Sequence, residues 1–161
     1  EELEEKIRPL DLAVAKEAEA SEAARRLATH PGVGPVISLA TVLTMGEVKR
    51  FEDSRSWVSY LGLNPSEQSS GQRRRLGSIS KQGNRFLRML LVEAAQVAVR
   101  CDPQMRNEYL HRCHRMAKGV AKVAAARKLA IRLYWMLRTN TGYPEVVRVE
   151  SSSRVPLVGA S

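Results

Sequence analysis

From Met89 to Val99 the chain is apolar at every position except Glu93 and Gln96. A segment this apolar on all sides must be covered by neighbouring elements, so it is read as the central helix of a helical core, ending near Arg100. Immediately before it, Asn84-Arg85-Phe86-Leu87-Arg88 gives the helix a basic first turn. Before that, Ser66 to Gly83 is dominated by Ser, Gly, Gln and Arg with almost no apolar side chain. Such a stretch buries little surface, so it is expected as a loop or short hairpin; a polar loop of that length within a domain is usually functional or disordered, and its arginine triplet beside a serine pair favours function. Arg85, Arg88, the free amides of the helix start and the preceding loop are thus expected to converge on one anion site.

Helical signals surround this centre. Up to about Ala28 the chain is rich in Glu, Ala, Lys and Arg, and Leu3, Ile7, Leu10 and Val14 recur at alternating three and four residue intervals. That is the spacing of a coiled-coil seam, although an ordinary amphipathic arm fits equally well and Pro9 is expected to kink or restart the helix. The sequence His30-Pro31-Gly32-Val33-Gly34-Pro35 then separates two apolar-periodic segments. Its two glycines permit a tight turn and a close backbone approach, as in the hairpin of a helix-hairpin-helix element whose amides face a DNA phosphate. A plain helix–helix connection is the competing reading of the same residues.

Val36, Ile37, Leu39, Ala40, Val42 and Leu43 are expected as a core helix, nearly apolar all round. A short helix follows, with Asp53 as N-cap, Trp57 and Leu61 facing the core and Gly62 as its C′ residue. Asp102-Pro103 marks the start of another helix to about Met116, and Val120 to about Arg138 forms the last. Both are read as scaffold. The fold class expected is therefore all-α: a compact helical domain with a helix-hairpin-helix-like DNA-binding element, preceded by a coiled-coil-like arm. Residues 1–28 form the arm, 29–140 the domain and 141–161 a flexible tail.

Charge narrows the partner. The chain has 26 Lys and Arg against 17 Asp and Glu, a formal net charge of +9. That excess points to a polyanion, with nucleic acid first, although a solvated basic face without a partner is the alternative. With only Cys101 and Cys113, no export signal and no long apolar run, a cytoplasmic protein without a disulfide framework or membrane span is expected. His111, Cys113 and His114 lie close together, but no second pair stands at zinc-ligand spacing, so no metal site is assigned. His30, His111 and His114 show no motif coupling them to a serine, which argues against a hydrolase triad.

Taken in order, Pro31-Gly32-Val33-Gly34-Pro35, Phe51, Tyr60-Leu61-Gly62-Leu63-Asn64-Pro65, Ser69-Ser70-Gly71 and Ile79-Ser80-Lys81-Gln82-Gly83-Asn84-Arg85-Phe86-Leu87-Arg88 resemble one family. The series is similar to the C-terminal half of the IS-one-ten family of bacterial insertion-sequence transposases, the group with RNA-guided members, over about Leu27 to Arg138. The resemblance implies a full-length enzyme of two parts: an N-terminal RuvC-like half carrying four metal-binding acids, and this domain carrying a serine nucleophile. Ser70 matches the serine position best, with Ser69 as backup because the serine is doubled. It further implies DNA as partner, a guide RNA, homo-oligomers through the arm, a nucleoid-associated setting, and magnesium in the RuvC-like half, with no cofactor in this segment.

The residues expected on nucleic acid are Gly32, Val33, Gly34, Arg73, Arg74, Arg75, Lys81, Asn84, Arg85 and Arg88. A serine hydroxyl needs a base or metal, and attack on a phosphodiester needs cations on its oxygens. Arg73, Arg74, Arg75, Lys81 and Arg85 can supply the cations. Glu67 is the only acid near Ser70, so the segment is expected to be silent alone. Two other readings remain: a non-catalytic helix-hairpin-helix module that only holds DNA or structured RNA, and a helical oligomerisation module.

Overall fold

The computed structural model describes residues 2–70 and 73–152, with side chains described outside 65–78 and Ser152. Helices dominate: α1 (Glu2–Ala20), α2 (Glu22–Leu27), α3 (Pro35–Met45), α4 (Ser54–Tyr60), α5 (Arg85–Cys101), α6 (Pro103–Cys113), α7 (Lys118–Arg138) and α8 (Tyr143–Ser152). A 3₁₀ turn spans Val48–Arg50. The strands among the described residues form one antiparallel hairpin of β1 (Pro65–Ser70) and β2 (Arg73–Ile79). The domain is all-α with this hairpin inserted between α4 and α5.

Local chemistry explains the boundaries. Asp53 Oδ1 accepts from the Ser56 amide at 2.7 Å, and Asp102 Oδ1 from the Met105 amide at 2.6 Å, so each satisfies an otherwise orphaned N–H. α1 runs through Pro9 without interruption, and the arm instead breaks at Ser21, whose hydroxyl caps α2 through the Ala24 amide. An exposed proline removes one amide donor, while Ser21 offers the backbone an extended alternative that a helix interior cannot.

α5 and α7 form the centre. Leu87, Leu91, Ala94, Ala95 and Ala98 of α5 meet a core that includes Ala125, Ala126, Leu129, Ala130 and Leu133 of α7. The many alanines let these helices approach closely. α5 nevertheless has an outward side, where Phe86, Met89 and Val97 are exposed.

Two expectations need correction. α3 is not buried all round: its inward residues are Ser38, Thr41 and Met45, while Val36 and Leu43 are exposed. Ser38 Oγ donates to Pro35 O at 3.1 Å and Thr41 Oγ1 to Ile37 O at 2.7 Å, so both hydroxyls enter the interior already satisfied. The segment expected as a flexible tail is helical through Ser152, because Val146 is buried and Tyr143 and Glu150 are tied to the core. No helix among the described residues is long and apolar enough to cross a membrane.

Candidate nucleic-acid interface

The hairpin register sets Ser70 opposite Arg73, Ser69 opposite Arg74 and Gln68 opposite Arg75. The backbone thus brings both serines and the three arginines to the closed end of one ribbon. Gly71 and Gln72, between Ser70 and Arg73, lie outside the described residues.

The root of the ribbon is fastened backbone to backbone. Ser80 N donates to Asn64 O at 3.0 Å, and Lys81 N to Gly62 O at 3.1 Å. Gly62, with φ +69°, lies so close to Gln82 that a Cβ would stand 1.9 Å from its carbonyl oxygen. Gly83, with φ +95°, meets Tyr60 O in the same way, again at 1.9 Å. No side chain fits at either position, so the end of α4 and the approach to α5 interlock.

Around the start of α5 the predicted residues divide. Asn84 Oδ1 caps the Leu87 amide at 2.9 Å, and its Nδ2 donates to Thr44 Oγ1 at 3.3 Å, so Asn84 is engaged in holding the helix start against α3. Arg88 is half-buried, and its Nη1 donates to Leu61 O at 2.9 Å. That guanidinium ties the interlock to α5. Arg85 and Lys81 are exposed, Lys81 in the left-handed region at φ 56°.

Arg50 joins this group and was not expected from the sequence. Its Nη2 donates to Thr44 O at 3.4 Å, the residue that Asn84 also touches, and its guanidinium carbon stands 4.8 Å from the Phe51 ring centroid and 5.1 Å from that of Tyr60. A cation–π pair of this kind keeps the charge at the surface while fixing where it stands. The available signal was Lys49-Arg50 directly before Phe51, a pattern too short to read. Trp57, stacked nearly parallel to Tyr60 with centroids 6.1 Å apart, is fully buried and belongs to the core.

The turn between α2 and α3 faces two ways. At Gly32, with φ +84°, a Cβ would stand 2.5 Å from Ala94 O and 3.0 Å from Ala98 N. The close approach made by this glycine is therefore onto α5. Val33 is buried beside it. Gly34 caps α3 without a side-chain bond and has nothing within 4 Å of the position a Cβ would take, while its carbonyl accepts from Ser38 N at 2.9 Å.

His30 anchors the turn from inside. Its Nδ1 is 2.9 Å from Pro31 O and its Nε2 3.5 Å from Arg132 Nη1. Burial, aided by the Arg132 charge and only partly opposed by the Pro31 carbonyl and Asp102, lowers its pKa to about 4. Arg132 in turn pairs with Asp102 at 2.9 Å and Glu150 at 3.1 Å. Tyr143 Oη donates to Asp102 Oδ2 at 2.5 Å, and burial together with that bond pushes the phenol to about 12.

Among the described residues no group of three His, Cys, Asp or Glu side chains could hold a metal ion.

Residues 24–110, more than half of the chain, match the family described as Transposase IS116/IS110/IS902. The chain is 35% identical over 123 residues to a probable family 20 transposase of Pseudomonas aeruginosa, covering 74% of this chain and 36% of that protein. It is 35% identical over 126 residues to the transposase for insertion sequence element IS1328 of Yersinia enterocolitica, with the same two coverages. Over 83 residues it is 37% identical to the transposase for insertion sequence element IS1111A of Coxiella burnetii, 52% of this chain and 23% of that protein. The chain therefore spans about a third of the length of the first two of these relatives.

Proposed function

Because the chain belongs to the Transposase IS116/IS110/IS902 family, we propose that it is the C-terminal, DNA-handling and serine-bearing part of an insertion-sequence transposase. The observation that carries this reading is the hairpin register, which sets Ser70 and Ser69 across from Arg73 and Arg74 at the end of a ribbon rooted beside α5. A nucleophile and the cations that neutralise phosphate oxygens are what strand transfer requires in one place.

In the proposed reaction Ser70 Oγ attacks the phosphorus of a phosphodiester. One P–O bond forms to the serine as the bond to a sugar oxygen breaks, and that oxygen leaves with a proton as a free hydroxyl. Reversal of the step onto a different strand rejoins the DNA and restores the serine. The arginines of β2 with Lys81, Arg85 and Arg50 hold the phosphate oxygens. Activation of the hydroxyl is assigned to a RuvC-like half elsewhere in the full-length protein, where magnesium would be held. A guide RNA and assembly through the exposed Leu3, Ile7 and Leu10 of α1 belong to the same proposal.

A non-catalytic helix-hairpin-helix module is the second reading, favoured by the uncrowded turn at Gly34 before α3. The two separate on the full-length protein supplied with its DNA, RNA and magnesium, by measuring covalent protein–DNA adduct in wild type, Ser70→Ala and Ser69→Ala. Loss of the adduct in Ser70→Ala with DNA binding retained supports the serine mechanism. Full activity in both variants leaves the scaffold reading.

A further inference from the structure

The corner between α6 and α7 holds a concentration of charge that the hairpin site does not use. From Tyr109 to Pro144 the chain has no Asp or Glu, yet it carries eight Lys and Arg together with His111 and His114. Arg132 is buried and Lys128 mostly so, and their ion pairs draw the flanking acids inward: Glu108 onto Lys128 at 2.7 Å, Glu150 onto both, and Asp102 onto Arg132. Those carboxylates are engaged with interior cations, while Arg112, Arg115, Lys118 and Lys122 are exposed. The connection is tight, with Met116 N donating to Arg112 O at 2.9 Å, so the four cations are gathered within two short helical ends. Lys118 and Lys122, four apart, share a face of α7.

We infer that this corner is a separate docking surface for the phosphate backbone of duplex DNA. Clustered like charges repel one another unless a polyanion neutralises them. No Phe, Tyr or Trp lies between Tyr109 and Tyr134. The exposed side chains that dominate the corner are cations, and cations reach the sugar-phosphate backbone rather than base faces, so the grip is on the backbone of a duplex. The inference rests on the proposed DNA-handling role and adds to it a grip that carries no sequence information, fixing how the duplex lies while the hairpin meets the scissile phosphate.

The test uses the full chain and a 30-base-pair duplex of arbitrary sequence, with affinity measured across a salt series. Every phosphate that the protein neutralises adds roughly 0.9 to the steepness with which log affinity falls against log salt. The quadruple variant R112Q/R115Q/K118Q/K122Q is expected to lose a slope of about 2 to 4 and at least tenfold in affinity. The lysine-retaining variant R112K/R115K is expected to keep both. Thermal unfolding of each variant distinguishes a weakened grip on DNA from a destabilised fold. An unchanged slope in the quadruple variant overturns the corner surface, and so does an equal loss in R112K/R115K without a drop in thermal stability. A matched duplex RNA that alone loses affinity in the quadruple variant overturns the assignment to DNA. R73A/R74A/R75A serves as the reference for the hairpin: if only that variant weakens binding, the proposed function stands and the corner fails, whereas wild-type protein without salt-dependent binding removes both.

Discussion

Arg132 Nη1 and Asp102 Oδ2 stand 2.9 Å apart, with neither side chain more than 1% exposed. Burial alone would raise the Asp102 carboxyl, but bonds from Tyr143 and the Met105 amide, with the Arg132 charge, outweigh it and hold the group below the usual carboxylate range. Arg132 also reaches Gln104 and Glu150, so one guanidinium joins α6, α7 and α8.

Removing that guanidinium leaves Asp102 charged and buried. Arg132→Met is therefore expected to destabilise the domain by about 3–5 kcal/mol. Urea unfolding followed by far-ultraviolet circular dichroism measures it; a loss below about 1 kcal/mol shows that Tyr143 and the Met105 amide suffice for Asp102.

His30 sets the response to acid. Its pKa in the fold is about 4 against an ordinary 6.5, so protons bind more readily to the unfolded chain. The contribution is present in full above pH 6.5 and is lost as pH falls towards 4, on the order of 3 kcal/mol in total. His30→Gln is expected to flatten the dependence of stability on pH within that window, measured by urea midpoints at pH 7, 5.5 and 4.5. Asp102, whose carboxyl is also depressed, adds a loss only at still lower pH.

Arg85 and Arg88 are three residues apart and are expected to behave oppositely. Arg85→Ala should weaken duplex DNA binding, reducing the salt slope by about 1, and leave the melting temperature unchanged. Arg88→Ala should cost about 1–2 kcal/mol of stability because Leu61 O loses its charged donor. Binding isotherms and thermal melts on the same two proteins decide it: equal effects on both observables would dissolve the distinction between a surface cation and a structural one.

Features governed by local bonds were legible in the sequence. Asp53, Asp102-Pro103 and Gly62 each mark a helix end through contacts within four residues, and each does so in the structure. The polar stretch before α5 was readable as a loop or hairpin from composition. The inward face of α3 was not, because Ser38 and Thr41 look polar until their hydroxyls are paired with their own helix. Arg132 and α8 were hidden for a different reason: a charge is buried only when partners from several elements meet it, and no periodicity records that meeting. Gly32 was marked as a close approach, but only the packed structure shows that the neighbour is α5.

The interlock of Gly62 with Gln82 and of Gly83 with Tyr60 has a consequence for how such a domain diversifies. Both ends of the ribbon are clasped at one point by backbone atoms, whose fit does not depend on the side chains carried between them. The ribbon is in effect an exchangeable cassette: its length and composition can be rewritten, or grafted from a relative, while the helices beneath keep the same seat for it.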